Sequence, residues 1–248
     1  MSKIRIEACC GSVRDVVIAD KLGFDQIELN SSLELGGMTP STGTLVMSKK
    51  LTDIPIYPMV RARPQGFNYD EVDYQAMLFD AKDLIDHGAD GIVFGFLNED
   101  GTINEERTRE MVAVIGDKPA IFHKAFDSTP DLEVAIKKLI DLKITRILTG
   151  GGLGDVMENL DVLKNLEAKY GNKIDILIGG GVRDFNVKEI LEHTKAQQIH
   201  FSGREKIFDS STFVTAKSDN KDLYSYDGVS EDKLNAIIKE IAEVSYND

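Results

Sequence analysis

The sequence predicts an α/β fold in which eight parallel strands close into a (β/α)8 barrel of the TIM type. A unit of one strand followed by one helix recurs eight times along the 248 residues, and the strands are rich in isoleucine, valine and phenylalanine. The length and a hydrophobic fraction of 42% suit a single domain that spans residues 1–248. An open, doubly wound parallel sheet is the alternative, which eight nearly regular units disfavour.

The fifth predicted strand, Ala120–Asp127, is the clearest of these units. It begins with apolar residues and ends in His123, Lys124 and Asp127. A strand that ends in titratable side chains and leads into a helix is typical of the active face of a barrel. The Asp-Ser-Thr-Pro context of Asp127 favours a turn or a helix cap, and orienting Lys124 is its alternative role. The other predicted strands are Ile4–Cys9, Asp25–Asn30, Tyr57–Arg61, Gly91–Phe94, Arg146–Thr149, Ile174–Ile178 and Gln198–Ser202.

Each strand is followed by a stretch with the periodicity of an amphipathic helix. Ser12 is placed to cap the first helix and Gly23 to end it, while Gly88 ends the third. A glycine-bearing loop, Ser31–Ser41, precedes the second helix. The predicted helices are Ser12–Leu22, Gly43–Leu51, Tyr69–His87, Asn104–Ile115, Asp131–Leu142, Gly154–Tyr170, Asn186–His193 and Ser230–Val244.

The repeating pattern breaks after the eighth strand. Residues 204–229 are polar and weakly patterned, and helical spacing returns only at Ser230. We expect this excursion to cover a rim of the barrel or to supply a contact between subunits. A disordered loop is the alternative.

Composition excludes several classes of function. A net charge of −13 and a pI near 4.8 argue against binding to nucleic acid. The chain has neither a long apolar run nor a basic leader followed by an apolar segment, so we expect no membrane span and no signal peptide. The two cysteines, Cys9 and Cys10, are adjacent and do not form a disulfide framework, which favours a cytoplasmic protein.

Polar side chains at the strand ends predict a functional mouth. Alternate residues of a barrel strand face the lumen, and the carboxyl ends of the strands form the active face. The catalytic candidates are Glu7, Glu28, Arg61 and His123. Because buried acids need partners, these four and His200 are expected to pair with one another. The alternative is that these lumen side chains only satisfy one another's hydrogen bonds and charges. His87 and His193 each lie in the last turn of a helix, and we expect both to be structural.

Glycine-rich loops predict an anion site beside this mouth. Gly150–Gly152 follows the sixth strand, Gly179–Gly181 the seventh, and Ser202-Gly203-Arg204 the eighth. Glycine lets backbone N–H groups approach an anion closely, and the loops after strands seven and eight commonly hold phosphate in barrels. Glycines that only turn the chain are the alternative. The ligand-binding candidates are Arg63, Thr149, Gly179, Gly180, Gly181, His200, Ser202 and Gly203.

Several runs together resemble one known family across nearly the whole barrel. They are Glu7-Ala8-Cys9, Ile27-Glu28-Leu29, residues 36–41 (GGMTPS), 59–63 (MVRAR), 90–95 (DGIVFG), 122–127 (FHKAFD), 146–151 (RILTGG), 179–182 (GGGV) and 200–203 (HFSG). This combination resembles the CutC family, named for copper homeostasis. The resemblance implies a (β/α)8-type barrel, a cytoplasmic location, a homo-oligomer (dimer or tetramer) and a role in copper(I) handling.

The sequence departs from the family pattern at four places. Asn30 stands where the family commonly has a second cysteine, Lys124 where it usually has arginine, and Gly150 where it usually has serine. The loop 61–67 reads RARPQGF and lacks an acid that the family carries there. The loss of the second thiol predicts weaker copper(I) binding than in relatives that keep both cysteines, since copper(I) prefers thiolate ligands.

Two classes of function follow. The first is copper homeostasis, with copper(I) bound at Cys9, to which Met59 is a possible second soft ligand. The second is a metabolic barrel enzyme or binder that takes a small anionic ligand, such as a phosphorylated one, through Glu, Arg and His side chains at the mouth. The sequence identifies no reaction, and it leaves open whether the protein is an enzyme.

Overall fold

Eight parallel strands form a barrel in the computed structural model, which describes residues 3–211, 213 and 218–244. The strands follow one another in the order β3-β2-β1-β8-β7-β6-β5-β4. A parallel bridge between Met59 and Val93 joins the two ends of this sheet, so the barrel closes and the open-sheet alternative is wrong. The strands are β1 Arg5–Cys10, β2 Gln26–Leu29, β3 Ile56–Pro58, β4 Ile92–Phe94, β5 Ala120–Phe122, β6 Arg146–Thr149, β7 Asp175–Gly179 and β8 Gln198–Phe201.

Eight α-helices are described outside the barrel, and side-chain caps begin most of them. Ser12, Asp70 and Asp131 each accept a hydrogen bond from a backbone N–H in the first turn of the following helix. None of the described helices is long and apolar enough to cross a membrane. The helices are α1 Val13–Lys21, α2 Thr42–Lys49, α3 Glu71–Asp86, α4 Glu105–Ile115, α5 Leu132–Asp141, α6 Leu160–Tyr170, α7 Val187–Thr194 and α8 Glu231–Ala242.

Several predicted elements are shorter in the structure. The fifth strand, predicted over Ala120–Asp127, ends at Phe122, and a 3-10 helix over Lys124–Ser128 follows it. The pattern predicts the sixth helix from Gly154, but a 3-10 turn over Val156–Asn159 comes first, because Asp155 accepts a hydrogen bond from the N–H of Met157. The third strand is predicted to reach Arg61, and its regular part ends at Pro58. Beyond Pro58 the closing bridge at Met59 continues the pairing.

The polar excursion after β8 contains an antiparallel hairpin. Its strands are β9, Arg204–Phe208, and β10, Ser225–Val229. The part of the excursion at 212 and 214–217 lies outside the described residues. The N–H of Val229 donates to Asp15 Oδ1 at 3.1 Å, so the hairpin is anchored to α1. The N–H of Ser230 donates to the Gly203 carbonyl at 3.0 Å and extends the pairing of the hairpin by one residue.

Strand register decides which polar side chains share the lumen. Glu7 of β1 lies opposite Gln26 of β2 on one side and His200 of β8 on the other. Two residues further along β1, Cys9 lies opposite Glu28. Neighbouring residues in a parallel register point to the same face, so these side chains meet inside the barrel, while Ile27 and Leu29 pack outward against the helices.

Candidate functional site

A cavity of about 250 Å³ opens at the carboxyl ends of the barrel strands. Loops and strand ends from most of the barrel contribute to its wall, as expected for this face. Eight of the predicted site residues line it: Cys9, Glu28, Arg61, His123, Gly180, Gly181, His200 and Ser202. The other five, Glu7, Arg63, Thr149, Gly179 and Gly203, are not part of its wall.

Glu7 lies below the cavity in a buried ionic network. Its Oε1 accepts a hydrogen bond from His200 Nδ1 at 2.8 Å, and its Oε2 accepts one from Arg146 Nη1 at 3.2 Å. The Arg146 guanidinium also lies over the ring of Tyr57, 5.3 Å from its centroid. Glu7 pairs with His200 as expected, but its second partner is Arg146, which the strand pattern did not single out because it begins an otherwise apolar strand.

Cys9, Glu28 and His200 bring three metal-binding donor types together. One ligand atom from each lies within 4.8 Å of the other two. Cys9 Sγ donates to Glu28 Oε2 at 3.5 Å, and Asn30 Nδ2 donates to the same oxygen at 2.8 Å. His200 Nε2 lies 3.9 Å from that oxygen. The side chain that replaces the family's second thiol therefore positions the Glu28 carboxylate.

The surroundings keep protons on this cluster. Burial, together with the charge of Glu28, raises the pKa of Cys9 to about 11. Burial also raises the pKa of Glu28. Burial by itself would lower the pKa of His200, but the charge of Glu28 and the hydrogen bonds to Cys9 and Glu7 outweigh it and raise the pKa well above 6.5. An incoming metal ion must displace protons to bind here.

Arg61 and His123 form another part of the wall. Arg61 Nη1 donates to the carbonyl oxygens of Gly36 at 3.0 Å and Gly37 at 3.4 Å, rather than to an acid as expected. His123 Nδ1 accepts a hydrogen bond from the N–H of Ala125 at 3.1 Å. Burial, and then the charge of Arg61, lowers the pKa of His123 to about 3. The expected pairing of Glu7, Glu28, Arg61, His123 and His200 is therefore wrong for Arg61 and His123.

The ring of Phe67 joins these two side chains. It lies 4.9 Å from the His123 ring, and the Arg61 guanidinium lies over it at 5.1 Å. The preference of a guanidinium for an aromatic face stabilises this arrangement. Phe67 belongs to the loop that departs from the family pattern, and no feature of the sequence marked it as part of the site.

Asp127 organises the glycine loop after β6. Its carboxylate accepts hydrogen bonds from the Thr149 hydroxyl at 2.5 Å and from the N–H groups of Gly150 at 2.8 Å and Gly152 at 3.2 Å. Lys124 Nζ lies 3.4 Å from the same carboxylate. The cap favoured for Asp127 is wrong, because Asp131 caps α5. Asp127 lies in the 3-10 turn Lys124–Ser128, and its carboxylate binds the loop after β6. Thr149 donates its hydroxyl proton to Asp127, which accounts for its place outside the cavity wall.

The glycines after β7 differ in what they face. A Cβ on Gly180 would lie 2.5 Å from Lys124 Nζ, and one on Gly181 would lie 2.6 Å from an oxygen of Asp155. The backbone thus passes close to a cation at Gly180 and to an acid at Gly181. Gly179 packs against Leu148 and His200 within β7, and Gly203 packs against Leu234 of α8.

Arg63 turns away from the cavity. It donates to the carbonyl oxygens of Gln65 and Asn68, both at 2.6 Å, and its Nε lies 3.4 Å from Asp73. Three cations that were not among the site candidates line the cavity instead: Lys124, Arg183 and Arg204. Arg183 closely follows the predicted loop Gly179–Gly181, and Arg204 ends the predicted loop Ser202-Gly203-Arg204, so their positions were the signal for them.

His87 and His193 lie outside the site. His87 Nδ1 bonds to the Asp83 carbonyl at 2.8 Å, within its own helix. His193 Nε2 bonds to Asp161 at 2.8 Å on the exposed surface between α7 and α6. Neither ring lines the cavity, in agreement with the structural role expected for both.

Comparison with known proteins identifies the family. Residues 4–205 match the model of the CutC family. The chain belongs to the CutC family. A family protein CutC from Treponema denticola is 43% identical over 212 residues, which cover 86% of each chain. The human copper homeostasis protein cutC homolog is 38% identical over 199 residues, covering 80% of this chain and 73% of the human protein.

Solved structures agree with the fold. The CutC structure from Streptococcus agalactiae superposes with a TM-score of 0.75 at 30% identity and covers 79% of this chain and 97% of that one. A phosphoribosyl anthranilate isomerase from Thermococcus kodakaraensis has a TM-score of 0.59 at 13% identity, with 96% and 99% covered. The second likeness is one of fold alone. The CutC match confirms the predicted TIM-type barrel.

Proposed function

We propose that this CutC-family chain acts in copper homeostasis in the cytoplasm by binding copper(I) at Cys9 and His200, with Glu28 beside them. The observation that carries the proposal is the cluster itself, whose three ligand atoms lie within 4.8 Å of one another at the cavity wall. Copper(I) is a soft ion that prefers thiolate and accepts imidazole nitrogen. The two free cysteines favour a reducing compartment.

The orientation of His200 supports this assignment. Its Nδ1 bonds to Glu7 at 2.8 Å, so Nε2 is the nitrogen directed towards Cys9 and Glu28. A carboxylate on the far nitrogen is the usual way in which proteins fix the orientation of a metal-binding imidazole. Met59 lines the same cavity and offers a further soft donor.

A copper(I) titration against a competing chelator under reducing conditions tests the proposal. We expect one copper(I) ion per chain, with binding lost in Cys9→Ser and weakened in His200→Gln. Cys10→Ala is the matched control, because Cys10 is the adjacent thiol and is buried on the outer face of β1. Tight binding that survives Cys9→Ser would contradict the proposal, and binding as tight as in relatives with two cysteines would contradict the predicted effect of Asn30.

A second candidate function is the binding of a small anionic ligand. The charge of the wall favours it, because Arg61, Lys124, Arg183 and Arg204 all line the cavity of a chain whose net charge is −13. Cations gathered in a concave site of an otherwise acidic protein attract anions electrostatically. Such a ligand would be the substrate of an enzyme or the cargo of a binder.

Thermal stabilisation by inorganic phosphate and by citrate tests the second candidate. We expect both anions to raise Tm at low ionic strength, and Lys124→Gln to reduce the effect. Lys137→Gln removes the same charge from the exposed face of α5 and serves as the control. An equal loss of stabilisation in both variants would mean that only the net charge matters, and the second function would be rejected.

A further inference from the structure

His123 carries a hydrogen-bond donor that nothing in the described chain accepts. The side chain is 3% exposed, and its Nε2 is buried with no partner among the described residues. Its Nδ1 accepts a hydrogen bond from the Ala125 N–H, so Nδ1 cannot also carry a proton. The imidazole is neutral because its pKa is lowered to about 3, chiefly by burial. The ring proton must therefore lie on Nε2.

Arg61 also has a buried N–H group without a hydrogen-bond partner among the described residues. The side chain is 8% exposed, and its Nε is likewise buried without a partner in the part of the chain that the structure describes. The carbonyl oxygens of Gly36 and Gly37 hold Nη1, and the ring of Phe67 supports the guanidinium. The Tyr69 hydroxyl, which also has no partner within hydrogen-bonding distance among the described residues, lies near the same guanidinium. An unsatisfied buried N–H costs about 1–3 kcal/mol, so two of them on one wall indicate a partner that binds there.

We propose that His123 Nε2 and Arg61 Nε form an oxygen-binding subsite, and that the ligand is a small anion with a carbonyl group at one end. The carbonyl oxygen accepts from this subsite, and the carboxylate or phosphate group at the other end lies by Lys124, Arg183 and Arg204. This assignment rests on the second function proposed above and specifies its ligand.

The cavity wall with Lys124, Arg183 and Arg204 carries more positive charge than the wall with His123 and Arg61. This difference decides which end of the ligand faces each wall. Lys124 lies against Gly180, and the cations Arg183 and Arg204 line the cavity with it. A fully charged group is stabilised most at that wall. A neutral imidazole N–H is suited to a carbonyl oxygen, because it polarises the C=O bond without giving up a full proton. The cavity of about 250 Å³ limits the ligand to a small molecule.

Paired probes isolate the carbonyl group. 5-Oxohexanoate is compared with hexanoate, and 4-oxopentanoate with pentanoate, because each pair has the same charge and carbon chain and differs in a carbonyl remote from the carboxylate. Binding is followed by calorimetry and by the ¹⁵N resonances of the His123 ring. We expect an oxo acid to bind about tenfold more tightly than its partner and to shift the Nε2 resonance.

Two substitutions of His123 distinguish the loss of the Nε2 hydrogen-bond donor from a general disturbance of the fold. His123→Asn keeps an acceptor for the Ala125 N–H but removes the Nε2 donor, and His123→Gln places an amide N–H near the position of Nε2. We expect the oxo preference to disappear in His123→Asn and to return in His123→Gln. Arg61→Gln should weaken it, whereas Arg63→Gln should not, since Arg63 bonds outside the cavity.

The outcomes distinguish this subsite from the second function. Anions that bind with no oxo preference, or a preference kept in His123→Asn, would overturn the subsite and leave the anion function standing. No binding of any probe, together with no stabilisation by phosphate or citrate, would overturn both. A free protein whose ¹⁵N spectrum places the His123 proton on Nδ1 would overturn the subsite without any ligand.

Discussion

His123 shows how one buried side chain ties stability to pH. Its pKa is about 3 in the folded chain and near 6.5 in the unfolded one. The unfolded state binds the proton more readily, so the contribution of the neutral ring is fully present above pH 6.5 and is lost as pH falls towards 3. The cause is burial, which disfavours the imidazolium, with the Arg61 charge acting in the same direction.

We predict that His123→Gln flattens the acid side of the stability profile. Glutamine does not titrate, so the free energy of unfolding should fall less between pH 6.5 and 3 than it does in the wild type. Urea denaturation across this range measures the difference. His193→Gln is the control, because that ring bonds to Asp161 at the surface. Parallel profiles for the wild type and His123→Gln would contradict the pKa direction.

Glu167 makes the stability of the fold depend on pH in the opposite direction to His123. Burial, with the nearby charge of Asp175, raises its pKa to about 7, and its Oε2 is buried without a partner among the described residues. The unfolded carboxyl ionises near pH 4.5, so folding loses stability as pH rises from 4.5 to about 7. We predict that Glu167→Gln stabilises the chain at neutral pH and has little effect below 4.5. Urea denaturation at both pH values checks this, and equal unfolding midpoints at neutral pH would contradict it.

At the scale of elements, Asp15 joins the β9–β10 hairpin to the barrel. It is 1% exposed, and its two oxygens accept from the N–H groups of Gly11 at 3.0 Å and Val229 at 3.1 Å. One carboxylate thus connects the start of α1 with the end of β10. The excursion whose pattern predicts no regular element is held in place by a residue more than two hundred positions away in the chain.

We predict that Asp15→Ala loosens the hairpin. Two buried N–H groups would lose their acceptor, at a cost of about 1–3 kcal/mol each. Limited proteolysis should then cleave within residues 204–229 sooner than in the wild type. Asp20→Ala is the control, since Asp20 accepts from Thr52 on the other side of α1. Cleavage of the hairpin at the wild-type rate in Asp15→Ala would contradict the anchoring role.

At the scale of the whole molecule, the buried pair of Glu7 and Arg146 spans the barrel. Glu7 belongs to β1 and Arg146 to β6, which are separated by β8 and β7 in the sheet order. Their side chains are 3% and 6% exposed. Removing one partner of a buried pair costs about 3–5 kcal/mol. Glu7 keeps its hydrogen bond to His200 at 2.8 Å when Arg146 is removed, so the lower end of this range is expected.

We predict that Arg146→Met destabilises the chain by about that amount, and that the double variant with Glu7→Gln loses less than the sum of the single losses. Urea denaturation of the four proteins gives the coupling energy. Lys82→Met is the control, because its pair with Asp86 within α3 is exposed and contributes about 1 kcal/mol or less. Additive losses would contradict a direct interaction across the lumen. The homo-oligomer implied by the family stays a prediction, which sedimentation would test.

The sequence by itself determined the strand–helix units and the facing of their polar ends. Period-two alternation sets the side of a strand on which a residue lies, so the alternation alone assigns Glu7, Cys9 and Glu28 to the lumen. The start of the first helix followed from the local capping chemistry of Ser12, which depends only on residues a few positions apart.

Only the tertiary structure decided which of these polar groups meet. Arg146 reaches Glu7, Arg61 binds glycine carbonyl oxygens, and Asp127 binds the loop after β6 instead of capping a helix. These contacts depend on distances between strands far apart in the chain, which are fixed when the barrel closes and the register is set. Alternation gives a direction for each side chain, whereas its partner depends on what the closed barrel places within hydrogen-bonding distance.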